Sequence, residues 1–463
     1  MSKSEILTIQ QTIESENRYI QKFSFKKLIN LAGRRIADYL EREEKSKTIL
    51  FICGPGNNGK DGEIAFSCLE YRLKVFIYKI DENTKDKNLK KLQTLISNSE
   101  LILDCIFGTG LNRKISGRFK AIIDFINNSK KEIISIDIPT GINGDTGQKK
   151  SCCIKADSTL VMGFYKPGHF LLPGKMYVGK LKKLNIGLTS SSKKCPDINL
   201  IEKSFFKKEI PKHKININKY DKGHVIVLGG KMPGASRLVA FSSRKTGAGL
   251  STIIVDKENL KFYLKTEPGT IIEIIKQESL KKKNVLIIGP GLGKDYSRKR
   301  VIEVINSFFG PIIVDADAIS IFKDHKEVFY NLIRKKKNII LTPHINEFKR
   351  LFDYNDKSKM ISCLKAAEKI SNCVLLKGND TIIAFPSGKI WINNLPNNSL
   401  ATAGSGDVLC GIISGFLSQK MNYEHAIVAA VWVQSQVAKP KKNVVVEDFL
   451  KDIPLVIDSL KKK

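Results

Sequence analysis

Hydrophobic positions follow two rhythms along this chain. Over residues 1 to about 45, Ile6, Ile9, Ile13, Ile20, Leu28, Leu31 and Ile36 recur at roughly helical spacing, which predicts a helical opening. Short unbroken apolar runs then take over at 48–53, 75–78, 101–106, 133–138 and 158–162, with helix-length segments such as 61–72 and 117–128 between several of them. Buried strands alternating with helices predict a parallel sheet covered on both faces. A ligand site then belongs beyond the carboxyl ends of the strands. The polar stretch 189–196, rich in Ser and Lys, reads as a linker. A second series of apolar runs follows at 224–228, 250–255, 285–288, 311–314, 339–341, 374–376 and 381–384. No short-period repeat points to a solenoid. Two α/β domains are expected, 1–200 and 201–463.

Composition narrows the class. At 463 residues the chain exceeds one ordinary core. It is 42% hydrophobic and 27% charged, and no run of about eighteen apolar residues could span a membrane, so a soluble protein is expected. Glu5, Glu14 and Glu16 near the start fit neither a secretory signal nor an acid-poor transit peptide, which leaves the cytoplasm. Nine cysteines form no C-x-x-C pair and no His lies at metal-ligand spacing, so the thiols are read as reduced. The formal charge of +32 would attract polyanions. Its lysines are spread over the whole length without aromatic interleaving, and no nucleic-acid module stands out, so no specific nucleic-acid partner is expected. The same field would help capture an anionic dinucleotide.

Candidate chemistry lies where runs end. Gly54-Pro55-Gly56-Asn57-Asn58-Gly59-Lys60-Asp61-Gly62 follows the first strand and opens a helix, a turn that cradles phosphate through backbone N–H groups. It is not a Walker A loop, because Asp61 stands where Ser or Thr is needed. Later strands end in Asp104, followed by Gly108-Thr109-Gly110-Leu111, and in Asp137-Ile138-Pro139-Thr140-Gly141. Two carboxylates and Asn58 thus reach neighbouring strand ends. Such oxygen ligands suit a hard cation, a monovalent one where Thr140 and backbone carbonyls complete the shell; a structural hydrogen-bond network is the alternative.

In the second half Gly229-Gly230-Lys231-Met232-Pro233-Gly234-Ala235 and Gly289-Pro290-Gly291-Leu292-Gly293 permit close approach of a flat ring. Thr342-Pro343-His344 presents a strand-end imidazole, and Lys377-Gly378-Asn379-Asp380-Thr381 offers a cation and N–H groups to phosphates. Ala401-Thr402-Ala403-Gly404-Ser405-Gly406-Asp407 leads small residues into an apolar helix. Asp407 has two readings, an N-cap carboxylate or a base that takes a proton from a hydroxyl beside a phosphate site.

The first half, from about Ile6 to Gly187, resembles the NAD(P)H-hydrate epimerase domain through G-P-G-N-N-G-x-D-G, D-x-x-F-G-T-G-L and D-I-P-[ST]-G-x-x-x-D-x-G. That resemblance implies K+ held by Asn58, Asp104 and Thr140. It implies hydrated dinucleotide bound by Asn57, Asn58, Gly59, Lys60, Asp61, Gly108, Thr109, Gly110, Leu111, Asn112, Arg113, Lys114 and Asp137, with Asp137 as the acid/base group. Lys60 departs from the family's Gly. The second half, from about Lys219 to Ala438, resembles the ADP/ATP-dependent NAD(P)H-hydrate dehydratase domain, a ribokinase-like fold, through T-P-H-x-x-E-F, L-K-G and A-T-x-G-[ST]-G-D-V-L-x-G-I-I-x-G. It implies Asp407 as the base, a hydrate site of Ala235, Gly291, Gly293, His344 and Asp407, and adenine-nucleotide binding by Lys377, Gly378, Asn379, Asp380, Thr381 and Gly406. Asn397-Asn398-Ser399, Ala403 and Val433-Gln434-Ser435-Gln436-Val437-Ala438 depart from the family pattern.

Together the resemblances imply two three-layer αβα domains, Rossmann-like then ribokinase-like. The implied activity is repair of NADHX and NADPHX by epimerisation and dehydration, with Mg²⁺, with ADP favoured over ATP, and in a homo-oligomer. A ribokinase-like vitamin or sugar kinase is the enzyme alternative, and a polyanion-binding scaffold the non-enzyme one.

Overall fold

The computed structural model describes residues 5–80, 89–111, 113–190, 195–213, 216–355, 358–395, 398–439 and 445–462. The chain divides into two compact units, 1–198 and 199–463.

The first unit opens with two helices, Ile9–Lys22 and Phe25–Glu43. The hydrophobic spacing suggests one helical region; two N-caps divide it. The Thr8 hydroxyl accepts from the Gln11 backbone amide and the Thr8 N–H donates to the Gln11 side-chain oxygen, while Ser24 caps the second helix through Lys27. Strands β1 (Ile49–Cys53), β2 (Val75–Lys79), β3 (Leu101–Cys105), β4 (Glu132–Ile136), β5 (Ser158–Met162) and β6 (Lys180–Leu184) form one sheet in the order β2-β1-β3-β4-β5-β6. Its pairings are parallel. Alternate residues feed opposite faces: Phe51, Leu103, Ile134 and Leu160 join one buried cluster, and Leu50, Ile52, Ile102 and Ile133 another. β6 carries three lysines and no apolar run, which hid it from the periodicity; it is an edge strand, where such charge discourages further pairing. β1 lies between β2 and β3, so chain direction around the sheet reverses there and a crevice opens at the carboxyl ends.

The second unit's sheet comprises β7 (Asp197–Leu200), β8 (His224–Leu228), β9 (Leu250–Val255), β10 (Ile271–Ile274), β11 (Val285–Ile288), β12 (Ile312–Val314), β13 (Ile339–Leu341), β14 (Cys373–Leu376), β15 (Ile382–Ala384) and β16 (Lys389–Ile392). The order is β10-β9-β8-β11-β12-β13-β14-β15-β16-β7. Pairing is parallel from β10 to β14 and antiparallel from β14 through β16. β8, between β9 and β11, is the switch point here. The helix Ser405–Ser418 is buried along every residue from Val408 onward. Small residues let its neighbour approach closely: a Cβ on Gly411 would lie 1.7 Å from the Ser242 Oγ of the helix Pro233–Lys245. Among the described residues no helix is long and apolar enough to cross a membrane.

Gly289 and Gly293 flank one strand-end loop and differ in one respect. Both have positive φ, +125° and +93°; a Cβ on Gly289 would sit 1.7 Å from the Asp315 carbonyl oxygen, whereas one on Gly293 meets nothing within 4 Å. Gly289→Ala is therefore expected to cost about 3 kcal/mol or more and Gly293→Ala about 1 kcal/mol. Trp391 and Trp432, the chain's two tryptophans, both lie in the second unit. Denaturant unfolding followed by tryptophan fluorescence checks the contrast, and equal losses would contradict it.

Candidate active sites

In the first unit the helix Asn57–Leu69 starts at the first residue of the Asn-Asn pair, so Asn57 to Asp61 occupy its first turns rather than a free loop. A cavity of about 800 Å³ lies beyond β1, β3 and β4, mostly apolar, with polar groups at one side. Asn57, Asn58, Asp61, Gly108, Thr109, Gly110, Leu111, Arg113 and Asp137 line it. Gly59, Lys60 and Lys114 do not. Gly59 is covered by the Gly54 carbonyl, and the exposed Lys60 packs its ammonium over the Phe25 ring at 5.8 Å. Asn112 falls outside the described residues.

Asp104 is fully buried and accepts four hydrogen bonds: from the Ser135 hydroxyl (2.7 Å), the Thr140 amide (3.0 Å), the Thr140 hydroxyl (2.7 Å) and the Ile106 amide (3.2 Å). Burial pushes its carboxyl up, and those donors oppose the shift. The Nδ2 of buried Asn58 has no partner. Asn58, Asp104 and Thr140 thus sit as an oxygen-rich group with one carboxylate and one unsatisfied amide. The unsatisfied Asn58 atom is an N–H donor and the Asp104 oxygens are already engaged, so a cation here would rely on the Asn58 carbonyl oxygen, the Thr140 hydroxyl oxygen and the charge of Asp104.

Asp137 takes φ +64°, left-handed backbone uncommon outside glycine. Its Oδ1 is bonded by Lys166 Nζ, which is 1% exposed, and by the Met162 amide at 3.2 Å. His169 Nε2 bonds the Asp137 carbonyl oxygen at 2.8 Å, and its Nδ1 accepts from the Lys166 amide at 3.0 Å. Burial, helped by Lys166, lowers the His169 imidazole to about 4, so the ring stays neutral and braces the turn. Asp61 is pushed well above the carboxylate range by burial and by Asp137 and Glu16, and its Oδ1 has no partner. Glu16 is raised as well, by burial and then by Asp137. No motif marks Lys166, His169 or Glu16. The signal for the first two is Lys166-Pro167-Gly168-His169, a polar turn soon after β5.

In the second unit five loops meet at the carboxyl ends of β8, β11, β12, β13 and β14. A Cβ on Gly291 would lie 3.2 Å from the Ala235 Cβ, so these two loops are in close contact, and Gly293 donates its N–H to Asp317 at 2.9 Å. Lys377 turns inward. Its ammonium bonds Asp315 Oδ1 at 2.7 Å, and a Cβ on Gly406 would lie 3.2 Å from it, so the cation sits beneath the first turn of the helix Ser405–Ser418. The Cys410 thiol donates to Asp315 Oδ2 at 3.3 Å. Burial pulls the Lys377 ammonium down, but Asp315, Cys410 and Glu347 outweigh it and hold it above its ordinary value. Asp407, in the first turn of that helix, is pushed up to about 7 by burial and by Asp315, with Lys377 opposing. A helix N-terminus above a buried ammonium can receive a phosphate, with a carboxyl beside it able to exchange a proton near neutrality.

Other expected residues are engaged within the protein. His344 caps the helix Ile345–Leu351, its Nδ1 accepting from the Asn346 amide at 3.1 Å, and its Nε2 lies 3.2 Å from Glu347. Only its ring face remains for a ligand. Asp380 pairs with Lys359 at 2.5 Å, and the Thr381 hydroxyl donates to the Gly378 carbonyl at 2.7 Å, which leaves Asn379 and the exposed backbone of Gly378 toward solvent. Of the departures, Gln434 donates to the Ser405 carbonyl at 2.6 Å and steadies the loop before Asp407, and the Asn393 amide bonds Ser435 at 3.1 Å. Asn397 lies outside the described residues. Asp315-Ala316-Asp317 is visible as a polar cluster after a strand, but nothing in its sequence tells that Asp315 faces Lys377.

Residues 225–452 match the family model described as NAD(P)H-hydrate dehydratase, and residues 71–168 match the one described as YjeF-related protein N-terminus. A bifunctional NAD(P)H-hydrate repair enzyme of Dictyoglomus turgidum is 28% identical, covering 98% of this chain and 99% of that protein. One from Thermofilum pendens is 29% identical over 82% and 81%. Among solved structures, a ribokinase-like superfamily protein from Enterococcus faecalis covers 59% of this chain and 99% of its own at 24% identity and a TM-score of 0.50, a likeness of fold.

Asp407 sets a pH dependence of stability. Its folded value, about 7, lies above the ordinary 3.8, so its stabilising contribution is present in acid and is lost as pH rises through about 7. Asp407→Asn removes that loss. The variant is expected to melt at a higher temperature than the parent at pH 8, with little difference near pH 4, in thermal scans read by tryptophan fluorescence; an equal gain at both pH values would contradict the assignment.

Proposed function

We infer that this chain, a YjeF-related N-terminal domain joined to an NAD(P)H-hydrate dehydratase domain, is a bifunctional NAD(P)H-hydrate repair enzyme, an isomerase and a lyase. The observation that carries it is Asp407, poised near neutrality at a helix N-terminus above the Lys377–Asp315 pair. Ionised Asp407 takes the proton of the ring hydroxyl. The freed oxygen attacks the terminal phosphoryl group of an adenine nucleotide, whose phosphates lie at the Gly406 amide end of the helix over the Lys377 charge, and the bond to the bridging oxygen breaks to release the nucleotide one phosphate shorter. The phosphate ester then departs as inorganic phosphate, and loss of a ring proton restores the dihydropyridine. Phosphorylation makes a poor leaving group good, and the buried cation offsets charge that builds on the phosphoryl oxygens.

ADP is the favoured co-substrate over ATP. Mg²⁺ would come with the nucleotide, whose phosphates supply most of its oxygens; among the described residues no group of three or more His, Cys, Asp or Glu side chains could hold a metal by itself. Asp315, Asp317 and Glu347 bring negative charge to the same loops.

In the first unit the cavity accepts the hydrated nicotinamide portion against its apolar wall, with Asp137 as the group that exchanges the hydroxyl proton. Lys166 holds that carboxylate in place, and Met162 and His169 fix its orientation. K+ at Asn58, Asp104 and Thr140 would supply a fixed positive charge for the dinucleotide's phosphates. The free state of all nine cysteines is in keeping with a cytoplasmic setting.

Recovery of the reduced cofactor's near-ultraviolet absorbance tests the reading. With Mg²⁺, ADP and a mixture of both hydrate epimers, the protein is expected to convert the mixture fully. Asp407→Asn is expected to lower kcat for dehydration by about 10²-fold or more while both epimers still interconvert. No recovery with either ADP or ATP would overturn the dehydratase assignment, and accumulation of a stable phosphorylated product would indicate a kinase.

A further inference from the structure

We propose that Glu16 is a further catalytic residue of the first unit, the proton donor that works opposite Asp137 when the hydrate's stereocentre is inverted. This rests on the epimerase reading above and extends it to a residue outside every motif that carried that reading.

The argument begins with the face of one helix. Ile9, Ile13, Glu16 and Ile20 of the helix Ile9–Lys22 all line the cavity, at spacings of four, three and four residues that place them in one stripe. Glu16 is the single polar member of that stripe. A carboxyl facing an apolar wall is costly unless it is paired or put to use. No hydrogen bond or ion pair within the described residues engages it, and its shift arises from burial and from charges across the cavity rather than from a contact. The helix itself is held firmly. The Ile9 amide donates to Asp145 Oδ1 at 2.7 Å, the Ser15 hydroxyl to the Thr189 carbonyl at 2.8 Å, and the capping box fixes its first turn. The backbone thus fixes where Glu16 enters the cavity wall, and its unbonded carboxyl is left to meet a ligand there.

The charges facing it divide into two groups. From beyond β4 and β5 come Asp137 and Lys166, an ion pair braced by neutral His169. From the helix Asn57–Leu69 comes Asp61, itself raised, and from the loop after β3 comes Arg113. The helix Phe25–Glu43 presents only Phe25, Leu28, Ile29 and Ala32, all uncharged. Negative neighbours and burial favour the protonated form of Glu16; Lys166 opposes but is committed to Asp137. A carboxylate paired with an ammonium, faced across the cavity by a carboxyl whose pKa burial and that carboxylate push up, has the makings of an acid–base pair.

Inversion needs both. If the ring opens, Asp137 takes the hydroxyl proton, the carbonyl forms as the bond from that carbon to the ring nitrogen breaks, and Glu16 gives its proton to the nitrogen. If water leaves instead, Glu16 protonates the departing hydroxyl, the ring nitrogen's lone pair forms the C=N bond, and water returning on the opposite face gives its proton to Asp137. Ring closure on the opposite face reverses both proton transfers of the first route; in the second a proton passes from Asp137 back to Glu16 through solvent, and neither route has a net redox change.

The test uses the full chain without nucleotide, so that the dehydratase is idle, and follows conversion of one purified hydrate epimer to the other by chromatography. Glu16→Gln is expected to lower kcat by about 100-fold with KM within about threefold, and to abolish the alkaline fall in the pH profile, since a donor fails as pH rises through its pKa. Glu16→Asp, which keeps the acid but shortens it, is expected to recover part of the loss. A kcat within threefold of the parent in Glu16→Gln, an unchanged alkaline limb, or equal loss in the Gln and Asp variants overturns the role while leaving the epimerase reading intact. A parent protein that does not interconvert the epimers overturns both.

Discussion

Each half of this protein depends on a lysine–aspartate pair at the carboxyl ends of a parallel sheet: buried Lys166 with Asp137 in the first, partly buried Lys377 with buried Asp315 in the second. Removing one partner from such a pair commonly costs about 3–5 kcal/mol, because the other charge is left dry and unpaired. Yet the pair is a poor way to obtain stability, since an apolar replacement often does as well. Its value lies in what it fixes. An ammonium that cannot leave fixes one carboxylate in position, and that carboxylate, after burial, pushes up the pKa of the next carboxyl. Asp61 and Glu16 stand in that relation to Asp137, and Asp407 to Asp315.

The backbone around the pairs is correspondingly unusual. Asp137 has φ +64°, and Ala316, next to Asp315, has φ +48°. Left-handed backbone at non-glycine residues costs on the order of 1 kcal/mol or more and persists only where neighbours impose it. Around Asp137 they are the His169 ring on its carbonyl and the Met162 amide on its carboxylate. Around Asp315 they are the Lys377 ammonium and the Cys410 thiol on its two oxygens. The strand delivers each aspartate; the sharp turn after it aims the carboxylate across the crevice rather than along the strand.

Strands built from continuous apolar runs are legible in the sequence, because burial on both faces removes the need for alternation. β1, β3, β8 and β11 are of that kind. Two edge strands are not: β6, with its three lysines, and β10, with residues only partly buried, carry no such run. The glycine-rich turns and Asp407 are legible for another reason, since backbone approach and a helix start both restrict residue type locally. What stays hidden is every side chain whose role depends on a partner far along the chain. Lys166 is 29 residues from Asp137, and Lys377 is 62 from Asp315. The sequence offers Lys377 as a cation for phosphates; the structure shows its ammonium paired with Asp315 beneath the first turn of the helix Ser405–Ser418.

That difference bears on how the second site discriminates its reaction stages. An exposed lysine would move with the phosphates and could follow them out; a lysine fixed by a carboxylate and covered by Gly406 cannot. Its charge is constant, so what it contributes to the field at the helix end would be the same before and after phosphoryl transfer. Asp407 is then the group whose charge changes. In the proposed reaction it takes up a proton as the hydroxyl loses one, so the summed charge of the loops and the bound substrate is conserved during transfer. Charge-conserving transfer in a dry site requires little reorganisation of the surroundings. The cost is paid in stability, since a carboxyl kept near pH 7 opposes folding wherever it ionises, and the apolar helix Ser405–Ser418, buried from Val408 onward, is what can carry it.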